Sequence, residues 1–385
     1  MKGKELSSKI MEVVSQDELI NMLLEIVSIP SYKGVENQET EVAKYIKSVF
    51  DKEGIECYLE EVADGRCNVI ATLKGTGVGK TLLLNGHTDT VPPNDMDSAL
   101  EPFIKDGRIF GRGTSDMKGP IVSMMGAMIA IKRLNFPLKG NIIFTGVLDE
   151  ENNSIGTLDL VDKGIKADGA IVGEPTELHI ATAHRGLEWF EFKFIGKAVD
   201  FINALEEHLI PKLAQKKHPI LEEATLNYGV IRGGTQSSTV AGECVLQVDR
   251  RWLPDEIYED IIQEFRDIID MLSFKDKDFK CEMKVTEESL MRDGYIHDAM
   301  EIDANHPLVE LAHTTASKVL DYEVKKTLFP AWTDGALLSK YLKIPTLIMG
   351  PGEVEVCHSN IENISIDQLF KATIIYSLVA IEFCN

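Results

Sequence analysis

The chain has 385 residues, 44% hydrophobic and 26% charged, so a core is attainable without disulfide staples, and the length alone suggests two or three domains. Its net charge of -22, from 62 acidic and 40 basic residues, argues against nucleic acid as a partner, because phosphate binding needs clustered Lys and Arg. In chain order, Ser15-Gln16-Asp17-Glu18 has the capping-box pattern and is followed by the helical stripe Leu19, Met22, Leu23 and Ile26. A second helix fits Val42, Tyr45, Ile46, Val49 and Phe50 on one face. Apolar runs of strand character come next at Asn68 to Leu73, Thr81 to Asn85, Asn141 to Leu148 and Asp168 to Gly173, with helical stretches between the last three, notably Pro120 to Leu134. That alternation predicts an α/β domain with a mostly parallel sheet flanked by helices.

The texture changes near residue 184. Phe190, Phe192 and Phe194 alternate with polar residues, as do Cys244, Leu246 and Val248, which marks an antiparallel sheet buried on one face. Helices at about 199–214 and 255–273 fit the other layer. The βαβ texture returns with a helix at about 307–319, the run Pro345 to Met349 and a final helix at about 366–382. The simplest account is a catalytic α/β domain, residues 1–183 and 297–385, interrupted by an α+β domain at 184–296.

The six cysteines (Cys57, Cys67, Cys244, Cys281, Cys357 and Cys384) form no CxxC pair and read as reduced, mostly buried thiols. Met1 to Val14 carries charges throughout and has no apolar h-region, so no secretory signal is expected. No apolar run approaches the roughly 20 residues of a membrane span. The cytoplasm is the expected location.

Chemistry-bearing residues fall at the ends of the predicted strands. Leu82 to Gly86 runs into His87-Thr88-Asp89, Ile142 to Leu148 into Asp149-Glu150-Glu151, and Ala170 to Gly173 into Glu174. In open α/β sheets, ligands bind outside the carboxyl ends of the strands. Asp116 sits in the glycine-rich stretch 111–119, and His358 follows Gly350-Pro351-Gly352. Taken singly, each piece is more often a surface turn or a solvated helix start. Together, at successive strand ends, they suit a pair of zinc-type cations, which accept imidazole and carboxylate and are spanned by a shared carboxylate. Asp116 suits the bridge. His87 and His358 suit terminal positions, with Glu151 and Glu174 completing the two spheres. Asp89 is placed to orient His87. Of the neighbours Glu150 and Glu151, one can bind metal while the other takes a proton from water.

These stretches resemble the metallopeptidase family of acetylornithine deacetylase, succinyl-diaminopimelate desuccinylase and carboxypeptidase G. The matching segments are GHTDTVP (86–92), GRGTSDMKG (111–119), DEEN (149–152), GEPT (173–176), HRG (184–186), GGT (233–235), VDRRW (248–252), TDGA (333–336), GPG (350–352) and CH (357–358), in family order along nearly the whole chain. The resemblance implies a dinuclear site of His87, Asp116 (bridging), Glu151, Glu174 and His358, with Asp89 supporting His87 and Glu150 as general base. It implies two divalent ions, zinc first, with cobalt or manganese acceptable. It also implies a lid domain that carries Arg185 and Arg251 for the substrate carboxylate, Thr333 lining the site, and a homodimer formed through the lid. The implied reaction is hydrolysis of a small N-acylated amino acid in amino-acid biosynthesis. A carboxypeptidase or dipeptidase on the same scaffold is the alternative, and a catalytically silent metal-binding protein is a third reading.

The chain departs from the family pattern in three places. Gly196-Lys197-Ala198 runs directly into Val199-Asp200-Phe201-Ile202, without the family's loop and its His; omission of a segment from the chain accounts for this better than true loss. Ser238-Thr239 stands where Asn often follows the GGT segment. Ile361-Glu362 replaces the commoner Asn-Glu after the final His, a harmless change.

Overall fold

Asp64 and Gly65 both adopt positive φ (39° and 81°), the conformation a two-residue hairpin needs to match the twist of its strands. They join strand Glu56–Ala63 to strand Arg66–Leu73 in antiparallel register. The computed structural model describes residues 3–195, 197–239 and 241–385. The chain divides into two compact units: one of residues up to Thr182 with Glu301–Phe329 and Thr333–Asn385, the other of Ala183–Met300 with Pro330–Trp332.

In the first unit the sheet runs Glu56–Ala63, Arg66–Leu73, Ile142–Val147, Leu82–His87, Gly169–Val172, Thr346–Ile348 and the part of strand Ile180–His184 up to Thr182. The four strands from Ile142–Val147 to Thr346–Ile348 are parallel, with antiparallel strands on either side. Parallel strands are covered on both faces, which is why these segments read as continuous apolar runs. Successive side chains point to opposite faces. Ile142 and Phe144 enter the main core with helices Lys118–Arg133 and Ile366–Phe383, while Val147 packs with Ile70 and Leu160 on the other side. Ser15 caps helix Gln16–Val27 by accepting the Glu18 N–H at 3.1 Å, as the capping box predicts. The α/β class, with its parallel centre between helices, is as expected.

The second unit carries a sheet in the order Thr225–Gly233, Cys244–Trp252, Gly186–Phe194, Cys281–Val285, each pair antiparallel. Phe190, Phe192 and Phe194 are buried; Phe192 packs on Phe201 and Phe265 at centroid distances of 4.8 and 5.2 Å. Those two rings belong to helices Ala198–His208 and Tyr258–Lys275. The alternation of the sequence is thus the alternation of a one-sided sheet. Gly196, first residue of the segment where the family loop was expected, lies outside the described residues; Lys197 caps the helix that begins at Ala198. No described helix is long and apolar enough to cross a membrane, and all six cysteines are unpaired.

Candidate metal centre

Because the four central strands are parallel, their carboxyl ends lie along one edge of the sheet. His87 closes the middle strand, while Asp149-Glu150-Glu151 and Glu174 follow its two neighbours and the Gly350–His358 segment follows strand Thr346–Ile348, one place further along. Asp116 comes to the same edge just before helix Lys118–Arg133, and its carboxylate is the centre of the cluster. One oxygen lies 3.0 Å from His87 Nε2 and the other 3.1 Å from His358 Nε2. Glu174 Oε1 is 3.7 Å from His87 Nε2, and Glu151 Oε1 is 3.2 Å from His358 Nε2. Ligand-type atoms of His87, Asp116 and Glu151 all lie within 4.8 Å of one another.

Asp89 holds three things at once. Its carbonyl oxygen lies 3.1 Å and its carboxylate 3.3 Å from His87 Nδ1. The two carboxylate oxygens also accept the N–H groups of Glu150 and Glu151 at 3.1 and 3.0 Å. The imidazole and the two glutamates are therefore oriented by one side chain.

The electrostatics follow from crowding. Burial pushes the carboxyl groups of Glu150, Glu151 and Glu174 upward, and neighbouring carboxylates add to it, Glu174 acting on Glu150 and Asp116 on Glu151 and Glu174. Burial would lower the pKa of His87, but its contacts with Asp116 and Asp89 reverse that and hold it well above the usual range. Contacts with Asp116 and Glu151 lift His358 to about 10, although its side chain is 52% exposed and solvent screens part of the effect. For Asp116, burial works upward, yet the two imidazoles outweigh it and keep the group below the usual carboxylate range.

Five carboxylates gathered around two imidazoles make an excess of buried negative charge, and burying unpaired charge is costly. Glu151 Oε1 is buried and makes no well-directed hydrogen bond, its near neighbour being His358 Nε2 at 3.2 Å. A carboxylate oxygen left in that state within such a donor set is what divalent cations accept. The residues present therefore fit divalent metal ions, which His87, Asp116, Glu151, Glu174 and His358 would hold.

Three further sequence candidates make contacts within their own units. Thr333 is buried in the first unit, where its hydroxyl accepts the Gly335 N–H at 3.1 Å and closes the turn into helix Gly335–Lys340. Arg185 and Arg251 belong to the second unit. Arg185 donates to the carbonyls of Glu223 (3.0 Å) and Leu221. Arg251 donates to the Asp249 carboxylate at 2.9 and 3.0 Å. Burial lowers the pKa of Arg185, and the positive charge of Arg251 adds to that.

Sequence reasoning missed three residues. Glu362, fully buried, accepts the N–H groups of Ser115 and Asp116, each at 3.1 Å, and binds Arg112 Nη1 at 2.5 Å. It fixes the backbone that carries the Asp116 carboxylate, and the glycines around Arg112 were the available signal. Asp334, next to Thr333, accepts a hydrogen bond from Thr157 at 2.7 Å and is raised to about 6 by burial.

The profile "Peptidase family M20/M25/M40" matches residues 83–382, and the chain belongs to this family of peptidases and amidohydrolases. It is 27% identical over 408 residues to an N-formyl-4-amino-5-aminomethyl-2-methylpyrimidine deformylase of Halalkalibacterium halodurans, covering 96% of this chain and 95% of that one. It is 27% identical over 395 residues to a probable succinyl-diaminopimelate desuccinylase of Staphylococcus epidermidis, covering 90% and 93%. Among solved structures, the Bacillus cereus aminopeptidase PepT superposes with a TM-score of 0.78 at 23% identity, covering 97% of this chain and 100% of that one.

Proposed function

We propose that this chain is a dinuclear zinc amidohydrolase that removes an acyl group from a small N-acylated amino acid. The observation that carries this reading is the single carboxylate of Asp116, which presents one oxygen to each of His87 and His358. Two similar proteins are named for a deformylase and a desuccinylase activity, both of which release an acyl group from nitrogen. Bound at this site, the cations would supply Lewis acidity toward the scissile carbonyl and toward water. Glu150 takes the proton from the attacking water and returns it to the leaving amine; burial raises its pKa and so favours its holding that proton between the two transfers. Asp89 holds the His87 ring and the backbone of Glu150 in register for that transfer. Arg185 and Arg251 recognise the substrate carboxylate, for which the guanidinium fork is suited. Six unpaired cysteines suit a reducing compartment, the cytoplasm, and the second unit is the dimer-forming part.

Glu150→Gln tests the assignment: turnover should fall by about 10²–10⁴-fold with metal content unchanged. Full activity in that variant would remove Glu150 from the reaction. A panel of N-acetylornithine, N-succinyl-diaminopimelate, the formylaminomethyl-pyrimidine and dipeptides decides between a deacylase and a peptidase.

A further inference from the structure

The turn that carries Glu150 and Glu151 is gripped from a neighbouring strand that contributes nothing to the cluster itself. Strand Arg66–Leu73 pairs antiparallel with Ile142–Val147, opposing Val69 to Gly146. Its first residues therefore extend past the end of the partner strand, alongside 148–156. Asn68 is fully buried there. Its Oδ1 accepts the Leu148 N–H at 3.1 Å and its Nδ2 donates to the Gly156 carbonyl at 2.9 Å, so one side chain joins the two ends of the turn. A Cβ on Gly156 would lie 2.5 Å from Leu148 N and 2.6 Å from Asn68 Oδ1, which leaves only glycine at that crossing.

Two residues earlier, on the same face, Arg66 reaches the turn itself. Its Nη2 donates to the Asp149 carboxylate at 2.7 Å. The same guanidinium lies flat against Glu39, with Nε–Oε2 at 2.9 Å and Nη2–Oε1 at 2.6 Å. Glu39 is fully buried and so cannot swing away. Asp149 adopts φ +71°, a left-handed conformation that few side chains hold without support. Its carbonyl accepts the N–H groups of Asn152, Asn153 and Ser154 at 3.2, 3.0 and 2.7 Å, so fixing Asp149 fixes the turn. Glu150 is the next residue.

We propose that Glu39, Arg66 and Asn68 form a positioning clamp on the Asp149 turn, and that turnover depends on the placement it gives Glu150. The inference rests on Glu150 acting as the base, as proposed above. Arg66 acts through Asp149 and is a positioning residue. A displacement of about 1 Å at a reacting group is enough to cost roughly 10²-fold in rate. Lysine cannot replace it, because a point charge cannot lie flat on Glu39 and reach Asp149 together.

The test uses the full chain loaded with zinc. The double variant Glu39→Met/Arg66→Met removes the buried ion pair and leaves only the Asp149 carboxylate, the group the clamp holds, without its guanidinium; Arg66→Lys keeps a cation beside Glu39 and serves as the second variant if the first does not fold. Hydrogen exchange of the segment 148–154 is read together with kcat and KM. Both variants should exchange at least about tenfold faster in that segment only, with kcat down about 10²-fold and KM within about threefold. Unchanged exchange in the segment overturns the clamp whatever the activity. So does wild-type kcat in a variant whose turn has loosened, provided Glu150→Gln is inactive in the same assay. If Glu150→Gln is active, the base assignment fails, and the exchange data still decide whether the clamp exists.

Discussion

Replacing Glu362 by Gln should destabilise the first unit far more than an ordinary isosteric change. Its carboxylate is fully buried and serves two purposes: it accepts the Ser115 and Asp116 N–H groups, and it neutralises Arg112, itself 1% exposed. Arg112's other contacts, with the carbonyls of Pro92, Pro93 and His358, are long, at 3.3 to 3.5 Å. Burial and the charge of Asp116 lift the pKa of Glu362 against the pull of Arg112, so forming the pair in the interior gains little. Breaking it is another matter, because the guanidinium is then left charged and buried. An amide oxygen keeps the two backbone hydrogen bonds, but the amide NH₂ faces a donor. The expected cost is about 3–5 kcal/mol. At roughly 2–4 °C per kcal/mol for a unit of this size, the midpoint of thermal unfolding should fall by about 6–20 °C in chelator. Arg112→Met on top of Glu362→Gln should recover most of that loss, since the stranded charge is gone. Scanning calorimetry of wild type, single and double variants gives the answer. A fall below about 2 °C, or a double variant no better than the single, refutes the argument.

Three further outcomes are expected. Chelation at neutral pH should lower the midpoint of the first unit, and zinc at about a hundred times its dissociation constant should restore roughly 5–10 °C; a midpoint indifferent to zinc and cobalt would mean the carboxylate cluster holds no ion. Gly350→Ala places a Cβ 2.0 Å from the Gly173 carbonyl oxygen and 2.6 Å from that of Glu174, so the backbone must part beside a proposed ligand. A loss of at least about 2 kcal/mol in denaturant titration, with weaker zinc binding, is expected, and a loss under about 0.5 kcal/mol would show that the strands give way freely. In the second unit, burial raises Glu188 to about 7 despite hydrogen bonds from Ser289 and Tyr258. The folded state thus favours the proton: this contribution is full below about pH 4.5, is lost as pH rises toward about 7, and amounts to on the order of 3 kcal/mol. Glu188→Gln, a permanently neutral stand-in, should therefore be more stable than wild type at pH 8 and close to it at pH 5; an equal difference at both pH values would contradict this.

Much of the molecule was legible because burial leaves a local signature. Strands covered on both faces must be apolar throughout, so Leu82 to Leu84 and Ile142 to Leu148 identified themselves, and the abrupt return to polarity at His87, Glu150 and Glu174 marked the sheet's carboxyl edge. The alternation from Phe190 to Phe194 gave the second unit's one-sided sheet. Strand Glu56–Ala63 was hidden by its acidic residues, although the Asp64-Gly65 pair was a readable hairpin signal. What no local pattern contained was the set of contacts that hold the site in place. Glu362 meets the Asp116 backbone across 246 positions, and Arg66 meets Asp149 across 83. Such pairings depend on which strand ends the topology brings side by side. Periodicity records only whether a residue faces the core, so the sequence determined which side chains were available at the edge, and tertiary structure alone decided which of them touch.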